Sequence, residues 1–133
     1  MMRAAFLTAM LAWSVGAHAA PADLVAGKAL FQQCASCHAV GPFARGGYAP
    51  QLNGIVGRRA GVTRDFAYST VLKNANFTWT EQNLTGFLHA PSNFLPGNKM
   101  RFWGIGDVQD ITNLIGYMKT FGPVPPTSTT AGK

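Results

Sequence analysis

Acidic residues are scarce in this chain. Of its 133 residues only 12% are charged, and five acidic residues stand against eleven lysines and arginines, for a formal net charge of +6. Such a balance favours acidic partners or surfaces. The basic residues lie singly apart from Arg58 and Arg59 and form no recognisable binding module, so we expect no nucleic-acid partner.

A hydrophobic run long enough to span a bilayer is also missing. Arg3 precedes an apolar stretch over residues 4–15, whereas a span needs roughly 20 such residues. An Ala-x-Ala site follows at Ala17 to Ala19, so residues 1–19 are predicted to be a cleaved signal peptide, with no transmembrane anchor left after cleavage. A buried N-terminal helix is the alternative.

The rest of the chain reads as one domain followed by a tail. Residues 20–122 are enough for a single domain but small for an unaided core, which a bound cofactor could complete. Residues 123–133 are rich in proline and threonine, with too little apolar surface to offset the entropy of ordering. We expect a flexible tail there.

Alternation typical of β-strands is absent, and the helical signals predict an all-α fold. Asp23 can cap a first helix from about Leu24 to Gln33, and the glycine-rich residues 38–61 predict a structured loop. A short helical stretch is expected at 68–74. Two further helices are predicted from their caps and apolar spacing: Thr80 with Leu84, Phe87 and Leu88, ended by Pro91, and Asp107 with Ile111, Leu114, Ile115 and Met118, ended by Gly122 and Pro123.

Cysteine is almost absent, since the chain has only Cys34 and Cys37. They stand in Cys34-Ala35-Ser36-Cys37-His38, the C-x-x-C-H signature of covalent haem attachment. At this spacing each thiol can add to one vinyl group of the porphyrin, and the adjacent imidazole can bind the iron. The motif therefore predicts one covalently attached haem c with its iron.

Two other kinds of site use the same residues. A thioredoxin-like dithiol also has C-x-x-C, but it follows a strand in a βαβ unit, and no strand is visible before Cys34. A zinc site needs four ligands, and beyond residue 19 the chain offers only Cys34, Cys37, His38 and His89. Consecutive Cys37 and His38 fit one tetrahedron poorly, so haem is the favoured interpretation.

A haem iron that transfers electrons usually has a second protein ligand. Beyond residue 19 the candidates are Met100, Met118 and His89. Met118 belongs to the apolar stripe of the last helix and is better explained as core, while His89 suits the surface at a helix C-terminus. Met100 lies in a loop held by Pro96 and Gly97 and has no apolar stripe to join.

At these residues the chain resembles the class I cytochromes c, in particular the mitochondrial-like bacterial monohaem members. The resemblance spans nearly all of residues 20–122 and implies a small cytochrome c fold of about four to five helices wrapped around one haem. Gly27 and Phe31 would then cross the last helix near Leu114 and Tyr117. The matching positions are Gly27, Phe31, Cys34 to His38, Pro50 to Gly54, Gly57, Arg58, Tyr68, Trp79, Pro96 to Met100, Leu114 and Tyr117.

The resemblance also implies roles for individual side chains. Met100 would be the distal iron ligand, and the carbonyl of Pro50 would accept the imidazole N–H of His38 and orient it. A haem propionate removed from water needs donors or positive charge, which the resemblance assigns to three residues. They are Arg58, Tyr68 and Trp79. Trp79 as ordinary core and Arg58 as a solvated charge remain open.

Some positions depart from the family. Gln33, Ser92 and Asn93 stand where mitochondrial members have lysine around the haem edge, and Phe87 stands where a tyrosine often approaches the methionine sulfur. These departures bear on the identity of the partner and leave the haem ligands unchanged. The candidates that remain for a basic docking face are Lys28, Arg45, Lys99 and Arg101.

The expected function is electron transfer, because two filled axial positions and no evident acid, base or substrate cleft argue against an enzyme. The first hypothesis is a monomeric periplasmic shuttle between redox proteins of a respiratory or photosynthetic chain, whose docking faces would be acidic. A dedicated subunit or bound electron donor or acceptor of one exported dehydrogenase or oxidase is the second. A haem enzyme such as a peroxidase is the third, and it needs an open sixth site.

Overall fold

The structure, a computed structural model, describes residues 20–123 and has five α-helices in that range, which confirms the all-α prediction. Extended pairing within it is limited to an isolated antiparallel bridge between Arg59 and Thr78. The predicted signal peptide, 1–19, and residues 124–133 of the predicted tail lie outside the described residues. The helices are α1 (Leu24–Phe31), α2 (Thr70–Asn74), α3 (Glu81–His89), α4 (Pro91–Phe94) and α5 (Val108–Lys119).

Helix α1 begins where its cap predicts and ends two residues early. The Asp23 carboxylate accepts hydrogen bonds from the backbone N–H groups of Val25 and Ala26 at 2.9 and 3.0 Å. After Phe31 the backbone N–H groups bond to the carbonyl three residues earlier instead of four. One example is the 3.3 Å bond from the N–H of Gln33 to the carbonyl of Leu30. The tightened backbone turns the chain out of the helix just before Cys34.

Proline both ends and begins a helix in the middle of the chain. Thr80 caps α3, and α3 stops at His89, as predicted from Pro91. Pro91 is also the first residue of α4, where its missing N–H costs nothing. The sequence prediction missed this short helix because it read Pro91 only as a stop. Helix α2 begins later than expected because the Ser69 hydroxyl caps it.

Helix α5 supplies the most deeply buried side chains. Asp107 caps it as predicted, and the predicted apolar stripe is buried, with Ile111 and Leu114 at 0% exposure. The helix ends at Lys119, before the predicted stop at Gly122. Within residues 20–123, the length and hydropathy of every helix fall short of what crossing a membrane requires.

Helices α1 and α5 cross with their backbones in contact. A Cβ atom at Gly27 would overlap the carbonyl group of Asn113 and lie 2.8 Å from Cβ of Tyr117. Beside this point the rings of Phe31 and Tyr117 pack at 5.6 Å between centroids, and the buried side chain of Leu114 joins the same core. The crossing that the resemblance implies is therefore confirmed, and only glycine allows it at position 27.

Replacing Gly27 with alanine should push the two helices apart. We expect Gly27→Ala to lower the free energy of unfolding by at least about 2 kcal/mol, because a methyl group forced into a packed contact strains both backbones. Denaturant unfolding measures this. Gly47→Ala is the matched control, since a Cβ there meets nothing within 4 Å, and its effect should stay below about 0.5 kcal/mol. Equal decreases in the free energy of unfolding in the two variants would contradict a backbone contact between α1 and α5 at Gly27.

Candidate functional site

A cavity of about 470 Å³ lies between the helices and the loops that connect them. Its walls are largely apolar and come from the turn after α1, the loop before α2, the helices α3 and α5 and the segment after α4. All the side chains that the sequence singled out as cofactor-binding line this one cavity: Cys34, Cys37, His38, Pro50, Arg58, Tyr68, Trp79 and Met100.

The imidazole of His38 is held in one orientation. The turn after α1 closes with a 2.8 Å bond from the N–H of His38 to the carbonyl of Cys34, and the ring Nδ1 lies 2.8 Å from the carbonyl oxygen of Pro50. A carbonyl only accepts, so Nδ1 carries the proton and Nε2 keeps its lone pair. Burial, with a smaller contribution from the charge of Arg58, lowers the pKa of His38. The neutral form is the one that ligates metals.

The two cysteines are not joined to each other. Cys34 is partly buried and Cys37 is exposed. Burial, and then the neighbouring Cys37, raise the pKa of Cys34 to about 11. A redox-active dithiol depends on a depressed thiol pKa, so this environment disfavours the thioredoxin-like alternative. Across residues 20–123, no group of three or more His, Cys, Asp or Glu side chains could hold a metal ion.

The three candidates for a distal ligand lie in different surroundings. His89 is exposed at the end of α3, lies outside the cavity and has its Nδ1 3.0 Å from the carbonyl of Ile105. Met118 lines the cavity from α5 but is also core, with 3% exposure. Met100 lines the cavity from the irregular segment after α4. Two methionines therefore reach the cavity, where the sequence had singled out one.

The side chain of Asn98 positions Met100. Its amide nitrogen donates to the carbonyls of Pro91 and Leu95 at 3.0 and 2.8 Å, while its oxygen accepts the backbone N–H of Met100 at 2.9 Å. These bonds tie the segment that carries Met100 to α4. Sequence reasoning assigned no role to Asn98 beyond its place in the Pro96 to Met100 match.

Arg58 is half-buried and bonded to the loop beside it. Its guanidinium donates to the backbone carbonyls of Gln51 and Asn53 at 2.8 and 3.1 Å, and burial lowers its pKa. The alternative of a freely solvated charge is therefore wrong. A guanidinium has five N–H donors, so donors remain for an anionic group in the cavity.

Tyr68 and Trp79 are both buried at the cavity wall. The hydroxyl of Tyr68 lies 2.7 Å from Oγ1 of Thr63, a pair in which either group can donate. Trp79 packs edge-on against Phe77 and Phe87 at 4.8 and 5.1 Å between centroids. Trp79 is thus part of the core and of the cavity wall at once, so its two interpretations are compatible.

A second asparagine, Asn53, organises the loop before α2. Its side chain accepts from the N–H of Gly41 at 2.8 Å and donates to the carbonyl of Gly41 at 2.7 Å, and its own N–H donates to the side chain of Gln51 at 2.7 Å. Its carbonyl is also one of the acceptors for Arg58. Sequence reasoning missed this role, for which the Pro50 to Gly54 match was the only signal.

The residues present fit a haem c. Two thiols lie on one turn at the attachment spacing, the adjacent imidazole is neutral with Nε2 available, a thioether reaches the cavity, and the walls are largely apolar. A half-buried guanidinium with remaining donors suits a propionate. An all-α domain around such a cavity has the features of a c-type cytochrome.

Comparison with known proteins places the chain in a family. Residues 24–122 match the family described as cytochrome c. Cytochrome c2 of Blastochloris viridis is 41% identical over 121 residues, which cover 91% of this chain and 94% of that protein. Cytochrome c2 of Agrobacterium tumefaciens (strain II Chrys) is 44% identical over 99 residues, covering 72% of this chain and 89% of that protein.

A solved structure of a cytochrome is also similar to this chain. Cytochrome cH from Methylobacterium extorquens matches with a TM-score of 0.69 and 37% identity, over 74% of this chain and 98% of that chain. The chain belongs to the cytochrome c family. It is a monohaem electron-transfer protein with covalently bound haem c and its iron, and it is not an enzyme.

The hydrogen bonds of Asn53 in the loop before α2 predict a measurable loss of stability when its side chain is removed. Asn53→Ala leaves the N–H and carbonyl of Gly41 without their side-chain partner, which should lower the free energy of unfolding by about 2 kcal/mol. Asn76→Ala is the control, because it removes an exposed bond from Arg59 and should cost less than about 0.5 kcal/mol. Chemical denaturation compares them. Indistinguishable stabilities would show that the pairing with Gly41 does not support the loop.

Proposed function

We propose that the protein is a diffusible periplasmic shuttle that carries single electrons between redox proteins of a respiratory or photosynthetic chain. The observation that carries this proposal is a cavity that is lined by the whole predicted haem-binding set and whose exposed lining includes two basic side chains and no acidic one. The predicted signal peptide, 1–19, would direct export, and residues 20–122 would be the working domain. We further propose that it acts as a monomer.

In the proposed site, Cys34 and Cys37 would hold the haem through thioethers, and His38 and Met100 would ligate its iron. The haem supplies one-electron exchange between Fe(II) and Fe(III). The hydrogen bond to Pro50 keeps the His38 ring in one tautomer and raises its basicity as a ligand. A soft, neutral thioether from Met100 would stabilise the reduced iron, so a relatively positive potential is expected.

We also propose that Arg58, Tyr68 and Trp79 surround a haem propionate. Arg58 carries a positive charge that burial has already deprived of water, so a carboxylate there would relieve an existing desolvation cost. Its two bonds to loop carbonyls fix the guanidinium in place. Tyr68 and Trp79 each have a hydrogen-bond donor at the same buried wall.

The mouth of the cavity indicates how a partner would approach. We define the mouth as the exposed residues that line the cavity, and among residues 20–123 none of these is acidic. Two of them are cations. A small interface around them would suit fast, transient binding to an acidic docking face. The mouth consists of Gln33, Ser36, Cys37, Tyr48, Lys99 and Arg101.

Two other predicted docking cations, Lys28 and Arg45, are exposed but do not line the cavity. They would contribute to the field around the mouth without contacting its edge. The predicted departures at Ser92 and Asn93 are exposed and likewise outside the lining. Lys99 and Arg101 are therefore the charges whose removal should matter most.

The ligand assignment is tested by comparing the two methionines that reach the cavity. Met100→Ala should leave haem attached through Cys34 and Cys37, while the sulfur-to-iron charge-transfer band disappears and the reduction potential falls, because the soft ligand is lost. Met118→Leu, which conserves volume, should keep both properties. Absorption spectra and redox titration measure them. If instead the band survives Met100→Ala and disappears in Met118→Leu, the assignment is wrong.

The docking proposal is tested by reversing one charge at the mouth. Lys99→Glu should slow oxidation of the reduced protein by membranes of the organism that encodes it. The difference in rate between this variant and the parent should shrink as salt rises, because salt screens charges beyond a Debye length of about 10 Å at 0.1 M. Stopped-flow rates at several ionic strengths measure it.

A charge-matched control separates position from net charge. Lys73→Glu makes the same change at an exposed residue of α2 outside the cavity lining. Lys119 is less suitable, because it forms an ion pair with Glu81. Lys73→Glu should have much the smaller effect. Equal slowing by Lys99→Glu and Lys73→Glu would mean that only overall charge acts, and no slowing by either would argue for a partner bound without this face.

A further inference from the structure

Trp103 is the most exposed large apolar side chain in the described part of the molecule. It is fully exposed, at 101% of its reference area, and it does not line the cavity. Tryptophan is highly buried on average, because its ring is costly to leave in water. Packing within residues 20–123 does not account for its presence at this position.

Burial alternates along the segment that carries Trp103. Lys99, Arg101 and Trp103 are exposed, whereas Met100 and Phe102 between them are partly buried; residues 99–102 all line the cavity and Trp103 does not. Because two residues of chain span at most about 7 Å, Trp103 lies beside Arg101 whatever the local conformation. Trp103 is therefore an exposed neighbour of Arg101, which belongs with Lys99 to the mouth.

The backbone on both sides of Trp103 is held in place. The N–H of Ile105 donates to the carbonyl of Leu88 at 2.9 Å, and Gly104, with φ of +107°, packs so closely that a Cβ would lie 2.8 Å from the carbonyl carbon of His89. On the other side, Met100 is bonded to the side chain of Asn98 at 2.9 Å. A side chain on a fixed backbone loses less entropy when a partner covers it.

We propose that Trp103 is the apolar anchor of the docking surface, inserted into an apolar depression on an electron-transfer partner whose surrounding carboxylates meet Lys99 and Arg101. This inference rests on the proposed function and adds the apolar contact to it. Tryptophan is enriched among residues that dominate binding energy, especially where neighbouring groups exclude water around it. The two cations supply the charge complementarity that steers an acidic partner to this side.

The contributions of Lys99 and Trp103 to binding should depend differently on salt. Exposed charges are screened by salt, so the contribution of Lys99 weakens as ionic strength rises. Burial of the indole removes apolar surface from water and does not depend on that screening. A contribution from Trp103 that persists at high salt would therefore identify it as an apolar anchor.

The experiment uses the full haem-loaded protein and membranes of the organism that encodes it, in air and under illumination. The KM and kcat for oxidation of the reduced protein are measured for the parent, Trp103→Ala and Trp103→Phe across ionic strengths. We expect Trp103→Ala to raise KM on the order of tenfold at both low and high salt, with kcat little changed. Trp103→Phe, which keeps an aromatic ring, should recover part of the loss.

Two controls separate docking from other effects. Phe43→Ala removes an aromatic side chain that is 89% exposed in a segment, 39–47, that contributes nothing to the cavity lining, whereas Trp103 directly follows four lining residues. The KM of Phe43→Ala should match the parent. The reduction potential and free energy of unfolding of Trp103→Ala should also match the parent, because the side chain contacts neither cavity nor core.

The outcomes distinguish this inference from the proposed function. A KM for Trp103→Ala equal to that of the parent, or raised no more than in Phe43→Ala, overturns the anchor. If Lys99→Glu still slows the reaction in that case, the shuttle and its basic face stand and only the anchor fails. If neither Trp103→Ala nor Lys99→Glu changes the kinetics, both proposals about this face are wrong.

Discussion

The backbone contact between α1 and α5 at Gly27 determines where everything else can lie. Because no side chain separates the helices there, Phe31 reaches Tyr117 and the last turn of α1 is held against the core. The haem attachment motif begins three residues after Phe31, on backbone that is already fixed. The position of Cys34 and His38 is thus a consequence of a glycine several residues upstream.

The long loop before α2 replaces regular structure with side-chain hydrogen bonds. Asn53 pairs with both backbone groups of Gly41, and Arg58 occupies the carbonyls of Gln51 and Asn53. Backbone groups that no helix satisfies are thereby satisfied without closing the cavity. The same loop presents the carbonyl of Pro50 to His38, so loop order and imidazole orientation depend on one network.

Sequence reasoning was most successful where the signal is local. The caps Asp23, Thr80 and Asp107 act over two or three residues, and all of them begin helices where expected. It was least successful where distant parts of the chain meet. The pairing of Asn53 with Gly41, the reach of Met118 into the cavity and the exposure of Trp103 depend on tertiary packing, and a loop has no periodicity that would reveal them.

The alternation along residues 99–103 also has an evolutionary consequence. Met100 and Phe102 face the cavity, so their replacement would alter both packing and redox chemistry. Lys99, Arg101 and Trp103 are exposed, the first two at the mouth and Trp103 outside the lining, so mutations there leave the buried packing undisturbed. When a lineage changes its electron acceptor, substitutions of the exposed residues in this five-residue stretch can therefore change partner recognition. The buried residues around the cofactor can stay the same.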